Sequence, residues 1–234
     1  MYLEAVPVID QDIGRIPRLV FTGKLAIEIN NEVNTTLVRK IKSLGKEVIG
    51  IVRINDELHA KIPRAINTFD RSIIILGPGV GYSWLRYVTS LVNTVVGLTL
   101  DALTKFMELR PHLLNLPNEL FIDPVISNRV PILPGGIPKP IVNWLIDYVD
   151  SGGDLYVLIR GGTVNSIDLV SRSRLVFTYD IKTAEMYNSI TRSNSTDDNK
   201  LIINANCDFC GKSINPLCIL LCPSVDLVRE MRVD

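Results

Sequence analysis

The stretch SIIILGPGVG, residues 72–81, decides the reading of the fold. Residues 72–77 form a continuous apolar run that ends in glycines. A strand buried on both faces of a parallel sheet has this pattern, because helices cover its outer surfaces. Upstream lies EVIGIVRI (47–54), a second strand. Between RLVF (18–21), another short strand, and EVIGIVRI the segment NNEVNTTLVRKIKSLG places Val33, Leu37, Ile41 and Leu44 on one helical face. Asn30 or Asn31 suits the start of that helix and Gly45 its end.

Downstream, residues 82–114 read as one long helical stretch, with a break near Gly97, and Pro111 disfavours its continuation. ELFIDPV (119–125) is the next strand. NRVPILPGGIPKP (128–140) holds four prolines and two adjacent glycines, and reads as a loop and an internal boundary. PIVNWLIDYVDSGG is then a helix with Ile141, Val142, Leu145, Ile146 and Val149 on its apolar face. DLYVLIRGG (154–162), RLVFTY (174–179) and LIINAN (201–206) read as strands. SIDLVSRS and IKTAEMYNSITRS read as the helices among them. Strands alternating with helices predict an α/β fold: a mostly parallel sheet with helices on both faces, followed by a small Cys-rich tail. The expected organisation is an N-terminal half over 1–127, a second half over 128–206 and the tail over 207–234.

The chain has 234 residues, enough for a sizeable core, and its formal net charge of zero gives no overall pull toward nucleic acid or membrane. The most apolar long segment, YVTSLVNTVVGLTL (87–100), is shorter than the roughly 20 residues a span needs, so it reads as a buried helix. The N-terminus has no basic start followed by an apolar run, so no secretory leader is expected. The default expectation is a cytoplasmic protein.

All four cysteines fall in CDFCGKSINPLCILLCPS (207–224). Cys207, Cys210, Cys218 and Cys222 are spaced C-x2-C-x7-C-x3-C-P. A tight turn at CDFCGK aims two sulfurs inward, and CILLC puts two more on one helical face. Four thiolates hold either tetrahedral zinc or an iron–sulfur cluster. Disulfides within the tail and unliganded buried thiols are the other readings. The tail resembles the ferredoxin pattern that ends in C-x3-C-P, and its first half resembles a zinc knuckle. In two-cluster ferredoxins the cysteine before the proline serves the other cluster, and this chain has no second motif.

Two glycine loops follow strands. Gly77, Gly79 and Gly81 in LGPGVGYSW, and Arg160, Gly161 and Gly162 in RGGT, stand where parallel α/β folds bind a nucleotide or phosphate. The spacing G-P-G-V-G is not that of a dinucleotide fingerprint, and glycine is also what a tight turn needs. Asp70, Asp123, Asp168 and Asp180 are acids near strand ends, placed to gather magnesium or to cap turns. The only histidines, His59 and His112, have no spacing partner, and no G-x-S-x-G occurs.

Three functions are consistent with these features. One is nucleotide-linked electron transfer; the order of glycine loop then cysteine cluster resembles subunits that couple a flavin or nicotinamide domain to a terminal cluster. The second rests on RLVF through SIIILG, which resembles the opening of DHH-type phosphoesterase domains. Here TGKLAIEINN stands where that family carries its Asp/His metal motif, so the resemblance implies an inactive relative: a scaffold with replication partners, or a binder of single-stranded DNA. The third is an enzyme using the two glycine loops on a phosphorylated substrate, with structural zinc in the tail. A protein partner is expected throughout, and nucleic acid under the second reading.

Overall fold

A computed structural model describes residues 4–12, 23–58, 60–109, 117–124, 137–159 and 173–179, with Ile181, Ala184 and Asn188. Eight strands lie side by side in chain order, and the eighth pairs with the first. They are β1 (Glu4–Asp10), β2 (Lys24–Ile29), β3 (Glu47–Asp56), β4 (Arg71–Gly79), β5 (Thr94–Thr99), β6 (Glu119–Asp123), β7 (Asp154–Ile159) and β8 (Leu175–Thr178). Every pairing is parallel. The described α-helices are α1 (Thr35–Lys42), α2 (Tyr82–Thr89), α3 (Leu100–Leu109) and α4 (Lys139–Asp150).

The α/β reading with a parallel sheet and covering helices therefore holds, and the sheet is closed into a barrel. Closure gives each strand two different apolar environments. Inward residues such as Val6, Ile51, Ile73, Phe121 and Phe177 fill the barrel. Outward residues such as Ile27, Ile74, Leu98 and Val157 pack with α1 Ile41, α3 Phe106 and α4 Leu145. The filled interior is what an eight-stranded parallel barrel requires. The segments 1–127 and 128–206 contribute β1–β6 and β7–β8 to this one barrel.

One glycine makes the interior fit. A Cβ on Gly97 would lie 2.8 Å from Ile75 Cγ1 and 3.2 Å from Phe121 Cδ1. The empty position in β5 is thus occupied by its large neighbours on β4 and β6. Phe121 meets Phe177 edge-on at 5.3 Å between centroids.

Several elements differ from expectation. The stretch 82–114 is not one helix, and 87–100 is not a buried helix: α2 ends at Thr89, Asn93 turns the chain with φ of 55°, and β5 follows. The β-branched residues of TVVGLT suit a strand, and Asn tolerates the left-handed turn before it. β1 and β2 were not anticipated; Pro7 in β1 and the polar Lys24 and Glu28 in β2 break the apolar runs that signal strands. α1 starts at Asn34, whose side chain accepts from Leu37 N at 3.0 Å, rather than at Asn30 or Asn31. Its buried face is Val38 and Ile41, while Leu44 is 60% exposed. Gly45 ends it with φ of 73°, as expected. RLVF, SIDLVSRS apart from Ser173, IKTAEMYNSITRS apart from Ile181, Ala184 and Asn188, LIINAN and the whole tail lie outside the described residues.

Candidate functional site

Strand parity builds the site. On β3, Ile49 and Ile51 point inward, so Arg53 does too, one step nearer the carboxyl end. Glu28 follows Ala26 on β2 by the same rule, Asp123 follows Phe121 on β6, and Tyr179 follows Phe177 just beyond β8. Four polar side chains therefore form a layer above the apolar fill, at the end of the barrel where the strands finish.

They bond to one another. Arg53 Nε donates to Glu28 Oε1 at 2.5 Å, and Arg53 also donates to Asp123 Oδ2. Tyr179 donates its hydroxyl to Glu28 Oε2, and Arg53 reaches the Tyr179 oxygen at 3.4 Å. Asp123 has no exposed side-chain area, whereas Arg53 and Glu28 are about one-fifth exposed (21% and 20%). Water thus reaches one side of the layer and not the other. Burial works against the Arg53 charge, but Asp123 and Glu28 more than offset it and raise its pKa. Burial, and the bond to Glu28, push the Tyr179 hydroxyl up to about 12. The layer thus presents a guanidinium, a hydroxyl donor and carboxyl oxygens as acceptors. Such a set can orient a polar molecule and pass a proton to or from it.

The predicted site residues are distributed differently. Gly77 and Gly79 lie in β4 against β3: a Cβ on Gly77 would sit 3.0 Å from Asn55 Cα, and one on Gly79 2.6 Å from Asn55 O. This close approach coincides with the irregular register between Ile54 and Asp56. Gly81 is the N-cap of α2, and its N–H donates to Glu57 Oε1 at 2.7 Å. The chain's own carboxylate stands at that helix start. Arg160, Gly161 and Gly162 lie outside the described residues, as do Cys207, Cys210, Cys218, Cys222, His59, His112, Asp168 and Asp180. Among the acids, Asp123 joins the layer. Asp70 lies at the amino end of β4, where it accepts from Val48 N at 2.8 Å and Lys42 Nζ at 2.7 Å. Those two acids are therefore not brought together. Among the described residues no group of three His, Cys, Asp or Glu is placed to hold a metal ion.

Sequence reasoning did not single out Glu28, Arg53 or Tyr179. The available signal was the period of two in IGIVRI: an arginine on the inward register of an otherwise apolar strand. TGKLAIEINN, the stretch compared with the DHH metal motif, is the segment that forms β2 and carries Glu28.

Fold and layer together define the class: a closed parallel α/β barrel with a charged cluster at its carboxyl-end mouth. No family model, no curated protein and no solved structure matches the chain. No described helix is long and apolar enough to cross a membrane.

Proposed function

We propose that this protein is an enzyme performing acid–base chemistry on a small polar molecule at the carboxyl-end mouth of its barrel. The observation that carries this reading is the layer of Glu28, Arg53, Asp123 and Tyr179, held together at the end of the barrel where parallel α/β barrels place their reactive groups. Glu28 is the proposed base and Tyr179 the proposed donor. Arg53 fixes Glu28 and is itself fixed by buried Asp123. Arg160, Gly161 and Gly162 follow β7 directly in the chain. Loops after the seventh and eighth strands commonly hold phosphate in such barrels, which supports a phosphorylated substrate, a sugar phosphate or nucleotide.

A thermal-shift panel of small phosphorylated acids, sugars and nucleotides tests the reading. A ligand at about 100 times its Kd adds about 2.7 kcal/mol, or roughly 5–10 °C for a chain of this size. The shift is expected to disappear in Glu28→Gln and Tyr179→Phe. A panel with no hit, or a shift that survives both substitutions, refutes it.

The cysteine spacing supports a second, separate component: zinc or an iron–sulfur cluster on Cys207, Cys210, Cys218 and Cys222, structural or electron-carrying. Elemental analysis of anaerobically purified protein decides this. Iron with a brown colour supports the cluster, stoichiometric zinc supports the structural site, and a metal-free chain rejects both.

A further inference from the structure

The connection from β3 to β4 differs from its neighbours. Residues 57–70 contain a single described helical turn, Ile66–Thr68. Pro63 lacks an amide donor and disfavours helical backbone at Ile62, so a full covering helix does not form. Phe69 takes part of its place, with its ring over Gly50; a Cβ there would lie 2.7 Å from Phe69 Cδ2. The rest of that outer flank stays open. A cavity of about 600 Å3 lies between this connection, β4, the end of α2 and the start of β5. That volume is typical of a small-molecule site.

Its walls have a definite chemistry. Ile66, Phe69, Ile74 and Leu91 supply apolar surface. Ser72, only 5% exposed, also lines the cavity. Arg64 lines the cavity from the exposed side and makes no ion pair among the described residues; no acidic side chain lines the cavity. Nearby Asp70 is taken by Lys42 and Val48 N. We propose that this flank cavity is a second binding site, separate from the barrel mouth, for a small amphipathic anion: a carboxylate on an aliphatic or aromatic body. The apolar walls take the body, Ser72 supplies a polar contact at depth, and Arg64 selects the negative charge.

Calorimetric titration of the full chain with decanoate, decanol and decyltrimethylammonium tests this, below their micelle concentrations. Decanoate is expected to saturate one site and to bind about two- to fivefold more tightly than decanol. Reversing the charge in Arg64→Glu is expected to weaken decanoate about tenfold. Asn67→Trp places a large ring at an exposed lining position and is expected to abolish binding, while Tyr179→Phe at the mouth leaves it unchanged. Both flank substitutions are at exposed residues, and unchanged urea midpoints confirm that they fold. The proposal is overturned if decanoate does not bind, if decanol binds equally well, or if binding survives Asn67→Trp or is lost in Tyr179→Phe.

Discussion

The two mouths of the barrel are built from the same residue types and end up chemically different. At the amino-end mouth, Arg71 donates to Glu119, Tyr156 donates to Glu119 Oε1 at 2.6 Å, and Arg71 reaches the Tyr156 oxygen at 3.2 Å. Lys24 pairs with Glu4 at 2.6 Å and Arg174 with Asp154. Among the described residues, Arg71, Lys24 and Arg174 each form an ion pair with one acid. At the carboxyl-end mouth, among the described residues, Arg53 serves both Glu28 and Asp123, and Asp123 has no exposed area. The amino end is a charge-matched plug. Among the described residues, the carboxyl end sets Glu28 and Asp123 around Arg53, at the rim where the strand-to-helix loops gather. An arginine, a tyrosine and a carboxylate do not by themselves mark a reactive site; their depth and the end of the barrel they occupy do.

The largest effect that could break this comparison comes from Arg53. Arg53→Met removes a charged partner from the fully buried Asp123 carboxylate, and breaking such a pair costs about 3–5 kcal/mol. Urea unfolding should show this loss, whereas a change below about 1 kcal/mol would mean the pair is solvated and the mouths are alike. Next is the interior that separates them. Gly97→Val drives carbon into Ile75 and Phe121, and overpacking of this kind costs about 1–3 kcal/mol. Its unfolding midpoint should fall while the ligand panel still registers hits.

The two tyrosines sharpen the contrast. Tyr156→Phe and Tyr179→Phe each remove a hydroxyl donor to a carboxylate and should each cost about 1 kcal/mol. Only Tyr179→Phe should remove the ligand-induced thermal shift. Equal loss in both would erase the distinction.

Acid titration reads the amino-end plug directly. Burial works to raise the Glu119 carboxyl, but hydrogen bonds from Arg71 and Tyr156 outweigh it, and the net pKa lies below the ordinary value. A depressed acid contributes stability above its unfolded-state pKa and loses that contribution as pH falls through the folded-state value. Urea midpoints measured downward from about pH 5 should therefore drop less steeply in Glu119→Gln than in the native chain. The smallest effect is expected for Arg174→Ala. Its side chain is 53% exposed, and such surface pairs contribute about 0.5 kcal/mol or less. Thermal melts should barely separate it from the native chain.

Much of the barrel was legible. SIIILG reads as a doubly covered strand because every position of Ser72–Leu76 is buried, on either the inner or the outer side. EVIGIVRI, ELFID, DLYVLI and LVFT also correspond to strands, and Gly45 and Gly152 end helices at φ of 73° and 96°. β2 was hidden because one of its faces alternates Lys24, Ala26 and Glu28, too polar for an apolar run. β5 was hidden because TVVGLT continues the apolar composition of the flanking helices, and only Asn93 marks the turn.

The sequence by itself determined the alternation of strand and helix, the parallel pairing that follows from it, and the cysteine spacing of the tail. Local patterns encode these, because periodicity and turn chemistry act over a few residues. Only the tertiary structure decided that the sheet closes, with β8 against β1 across some 170 residues of chain (Leu175 opposite Glu4). Closure turns one face of every strand into an interior. It brings Glu28, Arg53, Asp123 and Tyr179 together from four separate strands' ends, a meeting that no local pattern records.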